Sequence, residues 1–139
     1  MKIGVPREIK PQENRIGLTP ESVKSLVSNG HEVLIENNGG FEAGFDNDQY
    51  KSAGAKIVEN AADIFNDAEI IVKVKEPLSN EVKMIRENQI VFTYLHLAAA
   101  KDLTQGLINS KAICIAYETV TDNNGRLPLL APMLSLIHI

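Results

Sequence analysis

Apolar residues along this chain come in two rhythms. Short runs rich in Ile and Val recur at residues 2–5 (KIGV), 32–36 (EVLIE), 55–58 (AKIV), 69–74 (EIIVKV), 89–94 (QIVFTY) and 112–117 (AICIAY). Their length and β-branched content predict strands. Between them lie stretches with helical spacing. Residues 20–30 (PESVKSLVSNG) carry Thr19 as an N-cap, Pro20 at the first helical position and Gly30 as a stop. Residues 46–54 place Asp46 three positions before Gln49, a capping-box pattern, and also end in glycine. Residues 60–67, 79–87 and 99–110 complete the predicted helices. Strict alternation of strand and helix predicts a parallel sheet with helices on its faces and right-handed crossovers.

After the last strand the rhythm changes. YETVTDNNGRLPLL reads as two short extended pieces around a turn at Asn124-Gly125. The chain then runs LLAPMLSLIHI to residue 139 almost without charge. That pattern suggests an incomplete domain, with residues 134–139 as an atypical, non-native tail.

Composition narrows the function classes. With 139 residues the chain has the size of one domain, and 44% hydrophobic residues suffice for a core. A net charge of −4 argues against nucleic acid or an anionic membrane surface as partner. No segment approaches the ~20 apolar residues of a membrane span, and the N-terminus shows no signal-peptide pattern. The single cysteine, Cys114, lies in an apolar run and reads as a small buried hydrophobe. A cytoplasmic location is the simplest expectation.

In parallel α/β sheets ligands sit beyond the carboxyl ends of the strands, and that rule selects the candidate chemistry. Lys73 and Lys75 interrupt the apolar stretch AEIIVKVKEPL, residues 68–78. Alternation would put both on one face, about 6–7 Å apart. Lys75, at the strand tip before Glu76-Pro77, could grip a carboxylate or carbonyl oxygen; otherwise it snorkels to solvent. Lys73 reads as a stem packed on the sheet with its head paired or solvated. His96 follows the next strand, where an imidazole could exchange a proton with a reacting carbonyl, or could simply be satisfied by loop backbone. The long loop 6–20 holds Arg7, Lys10 and Arg15. A guanidinium there could bind a carboxylate through two hydrogen bonds, or Glu8 and Glu13 could pair the cations off. A loop of this length is uncommon unless it has a role.

Other motifs are weak. NNGGFEAGF holds Gly39, Gly40 and Gly44, but Phe41 breaks the G-x-G-x-x-G spacing, so a flexible loop is expected rather than a dinucleotide fingerprint. His31 and His138 lack neighbours at metal-ligand spacing, and no zinc site is expected. The residues alone suit a small carboxylate bearing a reactive carbonyl or amine, without fixing the reaction.

At these positions the chain resembles the alanine dehydrogenase family. MKIGVPREIKPQENRIGLTP is similar to that family's opening, and IIVKVKEP, TYLHLAA, IAYETV and LPLLAPM follow in the family's order across residues 1–133. The related nicotinamide nucleotide transhydrogenases share the opening and the KV strand but usually lack the equivalent of His96 and the LPLLAPM run. The resemblance implies an α/β fold with a Rossmann-like or flavodoxin-like parallel sheet and helices on both faces. Residues 1–133 would be the N-terminal part of a substrate domain whose companion NAD-binding Rossmann domain is absent from this chain. It implies reversible oxidative deamination of L-alanine to pyruvate and ammonia with NAD, by full-length proteins that form homo-oligomers, typically hexamers. It implies that Arg15 binds the substrate carboxylate, that Lys75 contacts the carboxylate or carbonyl oxygen, that His96 polarises the carbonyl and shuttles a proton, and that Met133 lies near substrate and nicotinamide. After Met133 the family continues with a serine and a small-residue helix, which residues 134–139 do not match. The family's second proton-transfer residue, an aspartate, and its pyrophosphate loop belong to the absent domain. An isolated chain of this kind would be inactive and would expose apolar surface. The alternatives are a transhydrogenase alpha-subunit domain and a non-catalytic module that binds small carboxylates.

Overall fold

The computed structural model describes residues 1–135. Its strands are β1 (Lys2–Val5), β2 (Glu32–Glu36), β3 (Lys56–Val58), β4 (Ile70–Val72), β5 (Ile90–Thr93) and β6 (Ile113–Ala116). They form one six-stranded sheet in the order β3-β2-β1-β4-β5-β6, every pairing parallel. The helices are α1 (Pro20–Ser28), α2 (Asn47–Ser52), α3 (Ala61–Asp67), α4 (Ser79–Val82), α5 (Lys101–Ser110) and α6 (Leu130–Ser135). The alternation read from the sequence is therefore the architecture, a Rossmann-like α/β sheet.

The strand order fixes which face each helix covers. The chain moves outward from β1 to β3, then returns past β1 to build β4, β5 and β6. Right-handed crossovers in opposite directions put helices on opposite faces. Accordingly Val23 of α1 and Tyr50 of α2 pack with Ile3, Val5, Val33 and Ile35 on one face. Ile64 and Phe65 of α3 and Leu107 of α5 pack with Leu34, Ile71 and Val91 on the other. On the first face α1 and α2 reach only part of the sheet. In-register rows run from Ile70 through Ile90 to Ile113, and from Val72 through Phe92 to Ile115. Their outer ends are open, with Ile113 52% and Ile115 39% exposed.

Local signals explain the element boundaries. Thr19 caps α1 by accepting the Ser22 N–H. Asp46 and Gln49 complete a reciprocal capping box at α2. The predicted helix over 79–87 stops at Val82. Beyond it, Arg86 and the buried Gln89 both donate to the carbonyls of Phe65 and Ala68 at the end of α3. Those carbonyls lack intrahelical partners, so side chains from the 83–89 turns satisfy them. Asn124-Gly125 does form a turn, closed on the Asp122 carboxylate and one backbone bond from Asp122 to Arg126, but no strand ladder flanks it. The glycine-rich loop is a short 3-10 turn over Phe41–Ala43.

Gly4 lets α3 sit directly on β1, since a Cβ there would lie 2.6 Å from Ile64 Cγ2 and 2.7 Å from Ala68 Cβ. Gly4→Ala is expected to cost about 1–3 kcal/mol of overpacking, read as a lowered urea midpoint. An unchanged midpoint would mean that α3 can retreat freely.

Candidate functional site at the switch point of the sheet

Between β1 and β4 the strand order reverses, and the connections leaving their carboxyl ends diverge. That crevice is where open α/β sheets place ligands. From β1 emerges the loop 6–19; from β4 emerge Lys73, Val74 and Lys75. Gly17 presses the loop onto β4, because a Cβ there would meet the Val72 carbonyl oxygen at 2.7 Å.

β4 ends at Val72, and the chain bends over residues 74 and 75. The bend breaks the alternation expected of a longer strand, so the two lysines part company. The side chain of Lys73 is 2% exposed, and its ammonium lies 3.3 Å from Glu8 Oε1 and 3.1 Å from Glu81 Oε2, both side chains equally buried. Lys73 is thus paired, and wholly inside. Glu8 does more than neutralise it. Its carboxylate accepts the backbone N–H groups of Val74 at 3.1 Å and Lys75 at 3.0 Å. The Tyr117 hydroxyl donates to the Val74 carbonyl at 2.6 Å, and Thr93 Oγ1 donates to the Lys75 carbonyl at 2.9 Å. The backbone of the bend is therefore held from both sides. Burial pushes the Glu8 carboxyl up from its ordinary value, and Lys73 with the two N–H groups pulls it only part of the way back. Burial also pushes the Tyr117 hydroxyl up to about 12, so Tyr117 stays a donor.

Lys75 turns outward. Its ammonium sits 4.8 Å from the centroid of the Tyr94 ring, a cation–π contact. The His96 imidazole stacks on the same tyrosine, with centroids 5.8 Å apart and planes at 7°. His96 is exposed and takes a left-handed backbone conformation, φ 46° and ψ 47°. Arg15 holds Glu13 in a two-bond fork, Nη2 to Oε1 at 2.7 Å and Nε to Oε2 at 2.9 Å. Glu13 is drawn below its ordinary value despite its desolvation, chiefly by the Arg15 hydrogen bonds and with a contribution from Lys75. Lys75 and His96 therefore share the Tyr94 ring, while Arg15 is paired with Glu13 on the loop that leaves β1. The third loop cation considered, Lys10, pairs with Glu76.

Two hollows adjoin the bend, both lined in part by Val74. One, about 240 Å³, is lined by Gly17, Lys73, Val74, Phe92, Tyr117 and Leu129. The other, about 300 Å³, brings Arg15 together with Ile16, Phe45 and Pro132. Neither Lys75 nor His96 lines either hollow. Met133 falls in α6, one residue after Pro132; its side chain and residues 136–139 lie outside the described residues. Among the described residues no group of His, Cys, Asp and Glu is arranged to hold a metal ion, and no helix is long and apolar enough to cross a membrane.

The family described as alanine dehydrogenase/PNT, N-terminal domain, matches residues 4–137. The chain belongs to this family. It is similar to the alanine dehydrogenase of Staphylococcus epidermidis, 53% identical over 133 residues that make up 96% of this chain and 36% of that protein. It is 50% identical to the alanine dehydrogenase of Halomonas elongata over the same share of each. A solved L-alanine dehydrogenase superposes with a TM-score of 0.93 at 52% identity, covering 96% of this chain and 37% of that one. A transhydrogenase from Sinorhizobium meliloti is more distant, with a TM-score of 0.79 at 26% identity over 85% of this chain and 35% of that one. The chain thus spans 36% of the length of the curated alanine dehydrogenases it matches.

In this family domain, reading the sequence alone misses Glu8 as the partner of Lys73, and misses Glu81, Tyr94 and Glu118. Glu8 and Lys73 lie 65 positions apart, beyond any local pattern. Glu81 carried one signal: it sits three residues after Leu78 and reaches back to the Leu78 N–H at 3.0 Å, the second half of a capping box.

Glu8 titrates in a defined direction. A carboxyl raised on folding contributes stability that is complete below its unfolded value, near 4.5 for glutamate, and is lost as pH rises through the folded value. Lys73→Met would leave two buried carboxylates without a cation and push Glu8 further up. It is expected to cost about 3–5 kcal/mol at neutral pH, with the deficit shrinking as pH is lowered. Urea unfolding at neutral and mildly acidic pH checks this; an equal loss at both would contradict it.

Proposed function

We propose that this chain is the N-terminal substrate-domain part of an NAD-dependent alanine dehydrogenase, and that the whole protein interconverts L-alanine with pyruvate and ammonia. The observation that carries the reading is the convergence of Lys75 and His96 on Tyr94 at the switch point, with Arg15 on the loop that Gly17 presses against β4, in a chain whose curated relatives above are alanine dehydrogenases. Arg15 in the wall of one hollow and Lys75 on the bend beside Val74 suit an amino acid or keto acid. Arg15 offers the edge of its guanidinium not engaged by Glu13 to the substrate carboxylate. Lys75, carrying its charge on an aromatic face rather than in a carboxylate pair, is available to the carboxylate or carbonyl oxygen. His96, exposed at the next strand end, accepts or returns the proton at the reacting carbon's nitrogen or oxygen. Met133 borders the substrate in this reading. Residues 1–133 form the domain part in this reading.

The residues of this chain do not fit NAD itself. The β1–α1 connection has no glycine-rich turn, and α1 opens on a Thr19 side-chain cap. In the glycine loop a Cβ on Gly40 would meet the Tyr50 ring at 2.7 Å, so this turn packs on protein rather than cradling a pyrophosphate. The dinucleotide belongs to a part of the protein outside this chain, and the isolated chain is inactive.

The test is a chimera joining residues 1–133 to the remainder of the Staphylococcus epidermidis alanine dehydrogenase. It is expected to reduce NAD with L-alanine, while the isolated chain does not. Removing one charge-assisted contact is worth about 1.5–3 kcal/mol. Arg15→Ala or Lys75→Ala should therefore lower kcat/KM roughly ten- to a hundredfold, and His96→Ala should lower kcat itself. An active isolated chain, or a chimera indifferent to His96→Ala, would overturn the reading.

A further inference from the structure

The left-handed backbone at His96 is a conformation that residues with a Cβ adopt only when something holds them there. The structure shows what holds it. Beyond β6 the chain makes a 3-10 turn over Tyr117–Thr119, pinned by Thr119 Oγ1 donating to the Ala116 carbonyl at 2.7 Å. In the parallel register Ala116 faces Thr93, so the residues two positions on, Glu118 and Leu95, also come abreast. The Glu118 carboxylate accepts the Leu95 N–H with both oxygens at 3.2 Å and the His96 N–H with Oε2 at 2.6 Å. Two successive amides converging on one carboxylate require the chain to curl at this point. The curl carries the imidazole back over Tyr94, the ring that also carries the Lys75 ammonium.

We propose that Glu118 is a positioning residue: through the backbone amides of Leu95 and His96 it sets the imidazole on Tyr94 and so fixes its place relative to Lys75. Glu118 touches the backbone of His96 rather than its ring, and acts only through it. Glu118 is half-buried, and its carboxylate serves the two amides of the loop leaving β5, so its effect is local to the site. The inference rests on the reading of His96 as the proton-transfer group for its functional meaning, but its geometry can be tested without that reading.

The experiment is NMR of the histidine rings in the 139-residue chain. Stacking on Tyr94 should shift the His96 ring protons upfield, and Tyr94→Leu identifies that shift by abolishing it. Glu118→Ala should move the His96 ring signals to the Tyr94→Leu positions while leaving those of His31, just before β2, in place. Glu118→Gln, which keeps one acceptor oxygen, should retain part of the shift. Unchanged His96 ring signals in Glu118→Ala would overturn the proposal. Should Glu118→Ala fail to fold, the wild-type chain decides: the short bond to a carboxylate places the His96 amide proton well downfield, and a random-coil position would equally overturn it. Loss of stacking together with full activity of the His96→Ala chimera would leave this geometry standing and remove only the role assigned to His96.

Discussion

One buried carboxylate organises the site. Glu8 leaves β1 at the point where the strand order reverses and meets the chain leaving β4. There it accepts the Lys73 ammonium and the amides of Val74 and Lys75. An ion pair this deep contributes little net stability, because desolvation consumes most of the Coulombic gain. Its value is geometric. Three donors on one carboxylate end β4 at Val72, force the bend and direct Lys75 toward Tyr94. With Glu8 absent, Lys73 would keep Glu81, but the two amides would lose their acceptor from the loop after β1.

From that anchor the arrangement spreads laterally along the sheet. Thr93, the last residue of β5, and Tyr117, just after β6, tie the carbonyls of the same bend. Tyr94 collects Lys75 and His96 on its ring, and Glu118 collects the amides of Leu95 and His96. Each candidate group is held through its backbone or an aromatic face, which leaves the ammonium and imidazole available. Arg15 alone is engaged directly, by Glu13, from the loop that Gly17 presses against β4. Polar groups concentrated at strand ends above an apolar sheet suit a small charged substrate bound at the edge of a low-dielectric interior.

Much of the fold was legible because its signals are local. The apolar runs and the caps at Thr19 and Asp46 specify the alternation, and strand-end logic picks out Lys75 and His96. The errors fall where a distant partner decides. Alternation put Lys73 and Lys75 on one face, but Glu8, sixty-five positions earlier, bends the chain between them. Helical spacing over 79–87 ignored the carbonyls of α3 that Arg86 and Gln89 must satisfy. Glu118 sat in plain view in YETV, read as extended chain, because nothing in the sequence states that it will face two amides of β5's outgoing loop. Glu13 was weighed as a partner for the loop arginines and does pair with Arg15; Glu8, weighed beside it, serves Lys73 instead.

The central claim is that Glu8 locks the bend after β4. Amide hydrogen exchange at Val74 and Lys75 tests it most directly, because both residues lie past the end of the strand and their N–H groups have the Glu8 carboxylate as partner. Protection close to that of the β4 amides is expected in the wild-type chain, falling to loop-like exchange in Glu8→Ala while β1 and β2 keep theirs. Exchange of Val74 and Lys75 at the rate of an unstructured peptide in the wild type would contradict the account.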